Sequence, residues 1–185
     1  MKNILNKKLV ERYSRQIVLK DVGPKGQKKI INSKVLVVGA GGLGCPVIDY
    51  LSRAGVGNIG VIDDDKVNIS NIHRQSIYSS KDIGKFKVNA IKQKVKLINP
   101  QVKIKTFKLR IEKKNIERIF KSYDFIVDGS DNFKTKFLLN EYSLYYKKIL
   151  IVGAISKMDG HVFTFDFKNQ NDPCLKCFYQ TEPSD

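Results

Sequence analysis

The sequence predicts an α/β fold, a mainly parallel twisted sheet with helices on both faces and an antiparallel strand near the C-terminus. Three observations carry this. Short apolar runs alternate with amphipathic segments along nearly the whole chain. The first such run breaks directly into a glycine turn that opens a helix. A length of 185 residues, 42% of them hydrophobic, suffices for one buried core and not comfortably for two.

Taken in order, residues 9–19 (LVERYSRQIVL) space apolar side chains as a helix does, with Arg12 and Arg15 on other faces, until Gly23-Pro24 interrupts. GQKKIIN predicts a second short helix. KVLVVGAGGLG then reads as strand and glycine turn, and CPVIDYLSRAGV as a helix stopping at Gly55 and Gly57. The strand NIGVIDDD ends in acids, and a polar loop over residues 67–85 leads to the helix FKVNAIKQKVKLIN, closed by Pro100. Strand VKIKTF, helix KKNIERIF, strand YDFIVDGSD, helix NFKTKFLLNEYSLYY and strand KILIVGA continue the alternation. GHVFTFDF alternates as an antiparallel strand does. The expected organisation is a single unit over 1–185: N-terminal helices in 1–33, a core in 34–168 and a cysteine-bearing tail in 169–185.

The net charge of +16 would suit a nucleic-acid partner if clustered, but the lysines are spread over almost every segment instead of forming one stripe. The expectation is solvated helix faces and no nucleic acid, with a basic surface suited to steering an acidic protein partner. No run approaches the roughly 18 apolar residues of a membrane span, and the N-terminus lacks a secretory apolar stretch, so no membrane association and a cytoplasmic location are expected. Three cysteines, Cys45, Cys174 and Cys177, are too few and too uneven for a secreted disulfide framework.

Gly39, Gly41 and Gly44 stand in G-x-G-x-x-G register between a strand and a helix. The first glycine permits the tight turn, the second lets backbone approach phosphate, and the third lets helix pack on strand, while helix amides face the anion. This is a Rossmann-like nucleotide loop. Asp63, at the end of the next strand, is placed to accept from a ribose hydroxyl pair. Asp64 is expected in solvent, and Asp65 is a further nucleotide-facing candidate. Such a fingerprint alone does not separate a dehydrogenase from an adenylating enzyme.

The loop that follows concentrates Ser70, Asn71, His73, Arg74 and Gln75, with Lys87 beyond. Cleaving ATP between its α- and β-phosphates needs cations where pyrophosphate charge develops, and Arg74 and Lys87 can supply them. Asp131 sits just past the strand YDFIVDGS, where open α/β sheets place their ligands. It could hold Mg²⁺ on the phosphates, with Asn132 a polar contact beside it, or cap the following helix.

With these residues in view, the strings RYSRQIVL, GAGGLGCPV, IDDDKVNISNIHRQ, GKFKV, INP and DGSDNFKTKFLLNE resemble, in order, those of the ThiF/MoeB/HesA family, relatives of ubiquitin-activating enzymes. The resemblance is collinear from about Glu11 to Cys177. It implies a homodimeric domain that binds MgATP and adenylates the C-terminal glycine carboxylate of a ubiquitin-fold sulfur-carrier protein, releasing pyrophosphate. The pathway would be thiamine, molybdopterin or related sulfur transfer, with a sulfurtransferase or cysteine desulfurase as a further partner. It places Gly41 and Gly42 at the phosphates, Asp63 at the ribose, Ser70 through Arg74 and Lys87 around the triphosphate, and Asp131 at magnesium. Arg15 resembles the arginine that reaches into a neighbouring subunit's site. Because the attacking carboxylate is already an anion, no general base is needed, and catalysis rests on Arg15, Arg74, Lys87, Asp131 and the metal.

Cys174 and Cys177 match half of a four-thiolate Zn²⁺ site, whose second C-x-x-C family members carry farther along. Zinc lost by C-terminal truncation, zinc shared between copies, and a redox dithiol are the readings this leaves. The resemblance also puts a crossover segment, any catalytic cysteine and much of the carrier surface beyond these residues. Cys45 is expected buried, His73 in the nucleotide loop and not on a metal, and His161 incidental. The competing functions are adenylation of another acceptor, tRNA or peptide, and a nucleotide-binding scaffold without turnover.

Overall fold

The apolar run Lys34–Val38 (β1) becomes a central strand, with Asn58–Ile62 (β2) on one side and Phe125–Asp128 (β4) on the other, both parallel to it. Lys103–Phe107 (β3) extends the sheet beyond β2, and Ile149–Ser156 (β5) extends it beyond β4. Asp159–Asp166 (β6) turns back antiparallel on β5 through Lys157, which takes a φ of 54°. The strand order is β3-β2-β1-β4-β5-β6. The structure is a computed structural model and describes residues 5–169 and 172–179, so the tail expected over 169–185 lies partly outside it.

Strand alternation sorts the core into two layers. Val35 and Val37 of β1, with Ile59 and Val61 of β2, bury against Ile48 of helix α4 (Gly44–Ala54) and Ile91 and Val95 of helix α5 (Lys87–Ile98). Leu36 and Val38 face the other way, onto Ile116 and Phe120 of helix α6 (Lys113–Phe120) and Leu139 of helix α7 (Phe133–Tyr145). Each such side chain contributes roughly 1.5–3 kcal/mol by leaving water, which is why this continuous apolar run was legible as a strand.

Two local readings shift. The expected first helix is split into Lys7–Arg12 (α1) and Ser14–Ile17 (α2) at Tyr13, whose ring is buried and whose hydroxyl accepts from Asn99 at 2.8 Å. Gly23-Pro24 does not interrupt a helix but begins one, Gly23–Asn32 (α3), because proline lacks the N–H that the first helical turn leaves unpaired anyway. Among the described residues no helix is long and apolar enough to cross a membrane.

The chain runs β1, β2, β3 outward on one side and then returns to place β4 on the other side of β1. That reversal leaves a crevice at the carboxyl ends of β1 and β4, the place where open α/β sheets bind ligands. The glycine turn and the Asp131 loop both open into it.

Candidate active site

Gly39 leaves β1 with φ 88°, and a side chain there would press within 2.7 Å of the Gly129 carbonyl. A Cβ on Gly44 would collide with the Gly39 carbonyl oxygen. The turn is therefore folded tightly on itself and against the loop after β4, as the first and third glycines of the motif require. Gly41 and Gly42 differ: a Cβ would meet only Gln75 Nε2 at 3.7 Å, or the Arg74 side chain at 3.7 Å. At both positions a Cβ would be in ordinary van der Waals contact, so the residue 70–75 loop lies against this part of the turn without crowding it.

Ala40, inside the turn, is pinned from both ends. Its N–H donates to Asp63 Oδ2 at 2.8 Å, and its carbonyl accepts from the Tyr78 hydroxyl at 2.9 Å and the Cys45 thiol at 3.3 Å. Burial pushes the Cys45 thiol up to about 11, so it stays protonated, as the expectation of an inert buried cysteine requires.

Asp63 lies just past β2, its other oxygen accepting from the Asp65 N–H at 2.9 Å. Burial raises its pKa, against the Ala40 amide and the Lys87 charge. Lys87, the first residue of α5, is only 4% exposed; its ammonium stands 2.7 Å from Asp65 and 3.9 Å from Asp63. Thus Asp63, Asp65 and Lys87 form one linked set, while Asp64 is exposed.

The next loop is shaped by Asn68, whose side chain accepts from the Ser70 N–H at 2.9 Å and its hydroxyl at 3.0 Å. Asn71 donates to the Ser70 hydroxyl at 3.4 Å, and Arg74 Nη1 donates to the Ser70 carbonyl at 3.3 Å. His73 and Arg74 are exposed. Gln75 is buried, and its Oε1 has no hydrogen-bond partner among the described residues. An orphaned buried acceptor beside Gly41 is the kind of atom a bound ligand or water satisfies.

On the other side of the crevice Asp131 is exposed. The cap of α7 is Asn132, not Asp131: its side-chain oxygen accepts from the Thr135 N–H at 2.9 Å, and its amide donates to Asp131 at 3.3 Å. Asp131 is therefore left with a carboxylate facing solvent at the sheet edge, which suits a hard oxygen-seeking cation such as Mg²⁺.

Beneath that loop lies a pair that sequence reasoning missed. Lys136, buried in α7, donates to Asp128 at 3.1 Å, to the Ser130 carbonyl at 2.8 Å and to the Gly153 carbonyl at 2.8 Å. Asp128 also accepts from the Ser130 N–H at 2.9 Å and hydroxyl at 2.6 Å. Burial pushes the Asp128 carboxyl up, with Lys136 and Ser130 opposing. The signal was there to read: an acid closes an apolar strand, and Lys136 shares its helix face with Leu139 and Asn140.

Arg15 is not brought to this crevice. Its neighbour Gln16 donates to the Ala54 carbonyl at 3.2 Å, and Arg12 donates to the Ile98 carbonyl at 3.0 Å. Those are the C-terminal ends of α4 and α5, at the amino edge of the sheet. The length of α4 alone separates them from the glycine turn by roughly 16 Å.

The Cys174 and Cys177 sulfurs stand 3.8 Å apart around the short helix Leu175–Phe178 (α8). Thiolates about 2.3 Å from a tetrahedral zinc would be separated by about 3.75 Å, so the pair fits half of such a site. Asn140 of α7 fixes it by accepting from the Leu175 N–H at 2.9 Å. Burial raises the Cys174 pKa, but hydrogen bonds from the Lys176 backbone, Asn140 and Cys177 outweigh it and leave the thiol below its usual value. Among the described residues, three or more metal-ligating groups come together only at Asp63, Asp64 and Asp65.

The chain is 39% identical over 180 residues to a sulfur carrier protein adenylyltransferase of Thermus thermophilus, covering 96% of this chain and 66% of that protein. It is 42% identical over 175 residues to the adenylyltransferase and sulfurtransferase UBA4 of Scheffersomyces stipitis, covering 94% of this chain and 39% of that one. Among solved structures, Escherichia coli MccB with ATP aligns at a TM-score of 0.77 and 25% identity, over 90% of this chain and 50% of MccB. The chain thus spans about two thirds of one curated relative and two fifths of the other. With residues 13–185 matching the ThiF family throughout, the chain belongs to that family.

Proposed function

We propose that this chain adenylates the C-terminal glycine carboxylate of a ubiquitin-fold sulfur-carrier protein, using ATP and releasing pyrophosphate. The observation that carries the reading is the glycine turn held by Asp63, with Arg74 and Gln75 brought beside Gly42 and Gly41 and the buried Gln75 Oε1 without a partner among the described residues, at the sheet edge that also carries Asp131. The names of the relatives supply the acceptor class, and a neighbour of the same fold was solved with ATP.

In the proposed reaction the α- and β-phosphates lie along the Gly41 and Gly42 peptides, with the ribose at Asp63. A carboxylate oxygen of the carrier forms a bond to the α-phosphorus. The bond from that phosphorus to the β-bridging oxygen breaks, and pyrophosphate leaves with its electron pair. Arg74 would hold charge on the departing group, and Lys87 could turn from Asp65 toward the phosphates. A magnesium ion bound at Asp131 would neutralise phosphate oxygens. Since no proton is removed from the nucleophile, catalysis is positioning plus electrostatics.

The active unit is proposed to be a homodimer. Arg15 lies at the far edge of its own chain, flanked by exposed Val18 and Leu19, so it could serve a second copy's crevice but not its own. Cys174 and Cys177 would supply half of a zinc site.

ATP–pyrophosphate exchange with a candidate carrier ending in Gly-Gly tests the reading. Exchange should depend on the carrier and fall about 10²–10³-fold in Asp131→Ala, while that variant melts as the parent does. Exchange supported by tRNA or an unrelated peptide and not by any carrier would overturn the acceptor assignment. ATP binding without exchange would overturn the transferase.

A further inference from the structure

The amino edge of the sheet, opposite the glycine turn, carries a groove of about 350 Å³. Strand register builds its floor. Lys34, Asn58 and Lys103 pair across β1, β2 and β3, and so do Leu36, Gly60 and Lys105 two residues on. In a parallel sheet residues in register share a face, and i, i+2 positions share it again. That face is the α6 layer, into which Leu36 is buried.

Tyr123, after α6, lies across Gly60, where any Cβ would collide with the phenol oxygen. Glycine is what lets the ring reach the sheet. The residue is 5% exposed and lines the groove, yet its hydroxyl has no hydrogen-bond partner among the described residues. Burial raises its pKa, which keeps the hydroxyl a donor.

Lys34, Lys103 and Lys105 are exposed at the groove, and among the described residues none has a carboxylate within 4.0 Å, although the Lys105 ammonium lies over the Phe107 ring at 5.2 Å. Lysines on an edge strand ordinarily block pairing with another chain. That accounts for the two on β3. It accounts neither for Lys34, on a central strand, nor for a phenol whose ring is buried while its hydroxyl, not itself fully buried, reaches the groove.

We propose that this groove binds a small anion carrying two or more phosphate groups, held by the Lys34 and Lys103 ammonium groups and the Tyr123 hydroxyl, with Lys105 turning in from the Phe107 ring. Lys34 and Lys103 stand two strand spacings apart, about 9.6 Å at the backbone, which is wider than one phosphate bridges and suits a diphosphate. The groove is small for a folded partner and sized for a metabolite. The proposal is independent of the adenylation reading, because the two sites lie on opposite edges of the sheet.

The test is an amide NMR titration of the full chain with inorganic pyrophosphate at constant ionic strength. Saturable shifts are expected at Lys34, Asn58, Lys103 and Tyr123. Lys103→Ala/Lys105→Ala should weaken that curve by about tenfold or more, and Tyr123→Phe by about threefold to tenfold, since charge-assisted hydrogen bonds are lost. Lys92→Ala/Lys96→Ala, an exposed pair on α5, removes the same charge and should change it less than about twofold. Arg74→Ala should leave the groove curve alone. Shifts confined to Gly41 and Gly42, shifts that grow without saturating, or equal weakening in both lysine doubles would overturn the site. Tyr123→Phe keeps the ring over Gly60, so it decides the matter if the Lys103/Lys105 variant fails to fold.

Discussion

The crevice between β1 and β4 has a buried half and an exposed half, and they are held by different forces. Ala40, Asp63, Lys87, Asp128 and Lys136 are held by bonds to one another and to neighbouring protein groups, so their geometry exists before any ligand arrives. Ser70, His73, Arg74 and Asp131 are exposed, and the bonds that shape them are local ones within their own loops. The first half should therefore couple function to folding. The second should carry function with little effect on stability.

Gly44→Ala is the hardest blow to the buried half. The added methyl would occupy the position of the Gly39 carbonyl oxygen, and neither backbone segment can move without parting α4 from β1. A loss of more than about 4 kcal/mol is expected, enough to unfold a marginal domain. Chemical denaturation measures it. A near-native midpoint would show that the turn is looser than the contacts imply, and the contrast between halves would weaken.

Next comes Lys136→Met, which removes the ammonium and strands Asp128 in the interior. Breaking one side of a buried pair costs about 3–5 kcal/mol, and the pair here also braces the Ser130 carbonyl and β5 at Gly153. The stranded carboxyl, with burial then unopposed by Lys136, should bind a proton on folding. The variant's folded pKa then exceeds its unfolded value, so its residual stability is greatest at low pH and falls as pH rises through the folded pKa. Denaturation midpoints across pH 5–8 check the sign; stability that falls with pH more steeply in the variant than in the parent, whose Asp128 carboxyl is also raised but opposed by Lys136, is the expected pattern.

Arg74→Ala should invert the outcome. Its stem lies over Gly42 and its guanidinium makes one long bond to a neighbouring carbonyl, so stability should move by no more than about 0.5 kcal/mol. Carrier-dependent pyrophosphate exchange should fall about 10²–10³-fold, the usual loss when a donor to developing charge is removed. Comparable losses in melting and exchange would place Arg74 in the buried half after all.

These contrasts also explain what the sequence made legible. The sheet, its order of elements and the glycine turn follow from apolar runs and from residues whose backbone demands are local. Ser70, Arg74 and Asp131 stood out because polar clusters sit where a loop must meet a ligand. The Lys136–Asp128 pair, eight residues apart, was missed because a lone lysine on a helix reads as solvent-facing. α7 buries Thr135, Lys136, Asn140 and Ser143 alongside Leu139, so its inner face is largely polar and hydrophobic periodicity could not orient it. Arg15 was assigned by resemblance alone, and only the anchoring of Gln16 and Arg12 to the far ends of α4 and α5 shows which edge of the sheet it occupies.

Asn132 stands on the border between the halves, and two substitutions separate its duties. Asn132→Ala removes the acceptor for the Thr135 N–H and should cost about 1 kcal/mol, the usual loss of a helix cap. It also frees Asp131 from the amide beside it. Asn132→Asp keeps the cap, since aspartate serves that position as well as asparagine and its charge faces the helix N-terminus. Its stability should match the parent's within about 0.5 kcal/mol. Yet it exchanges a donor for a second carboxylate next to Asp131, which alters the charge a magnesium ion would meet. If exchange activity changes in Asn132→Asp while melting does not, the contact with Asp131 matters to the reaction. If only Asn132→Ala loses activity, in step with its lost stability, the residue serves the helix and the site feels it indirectly.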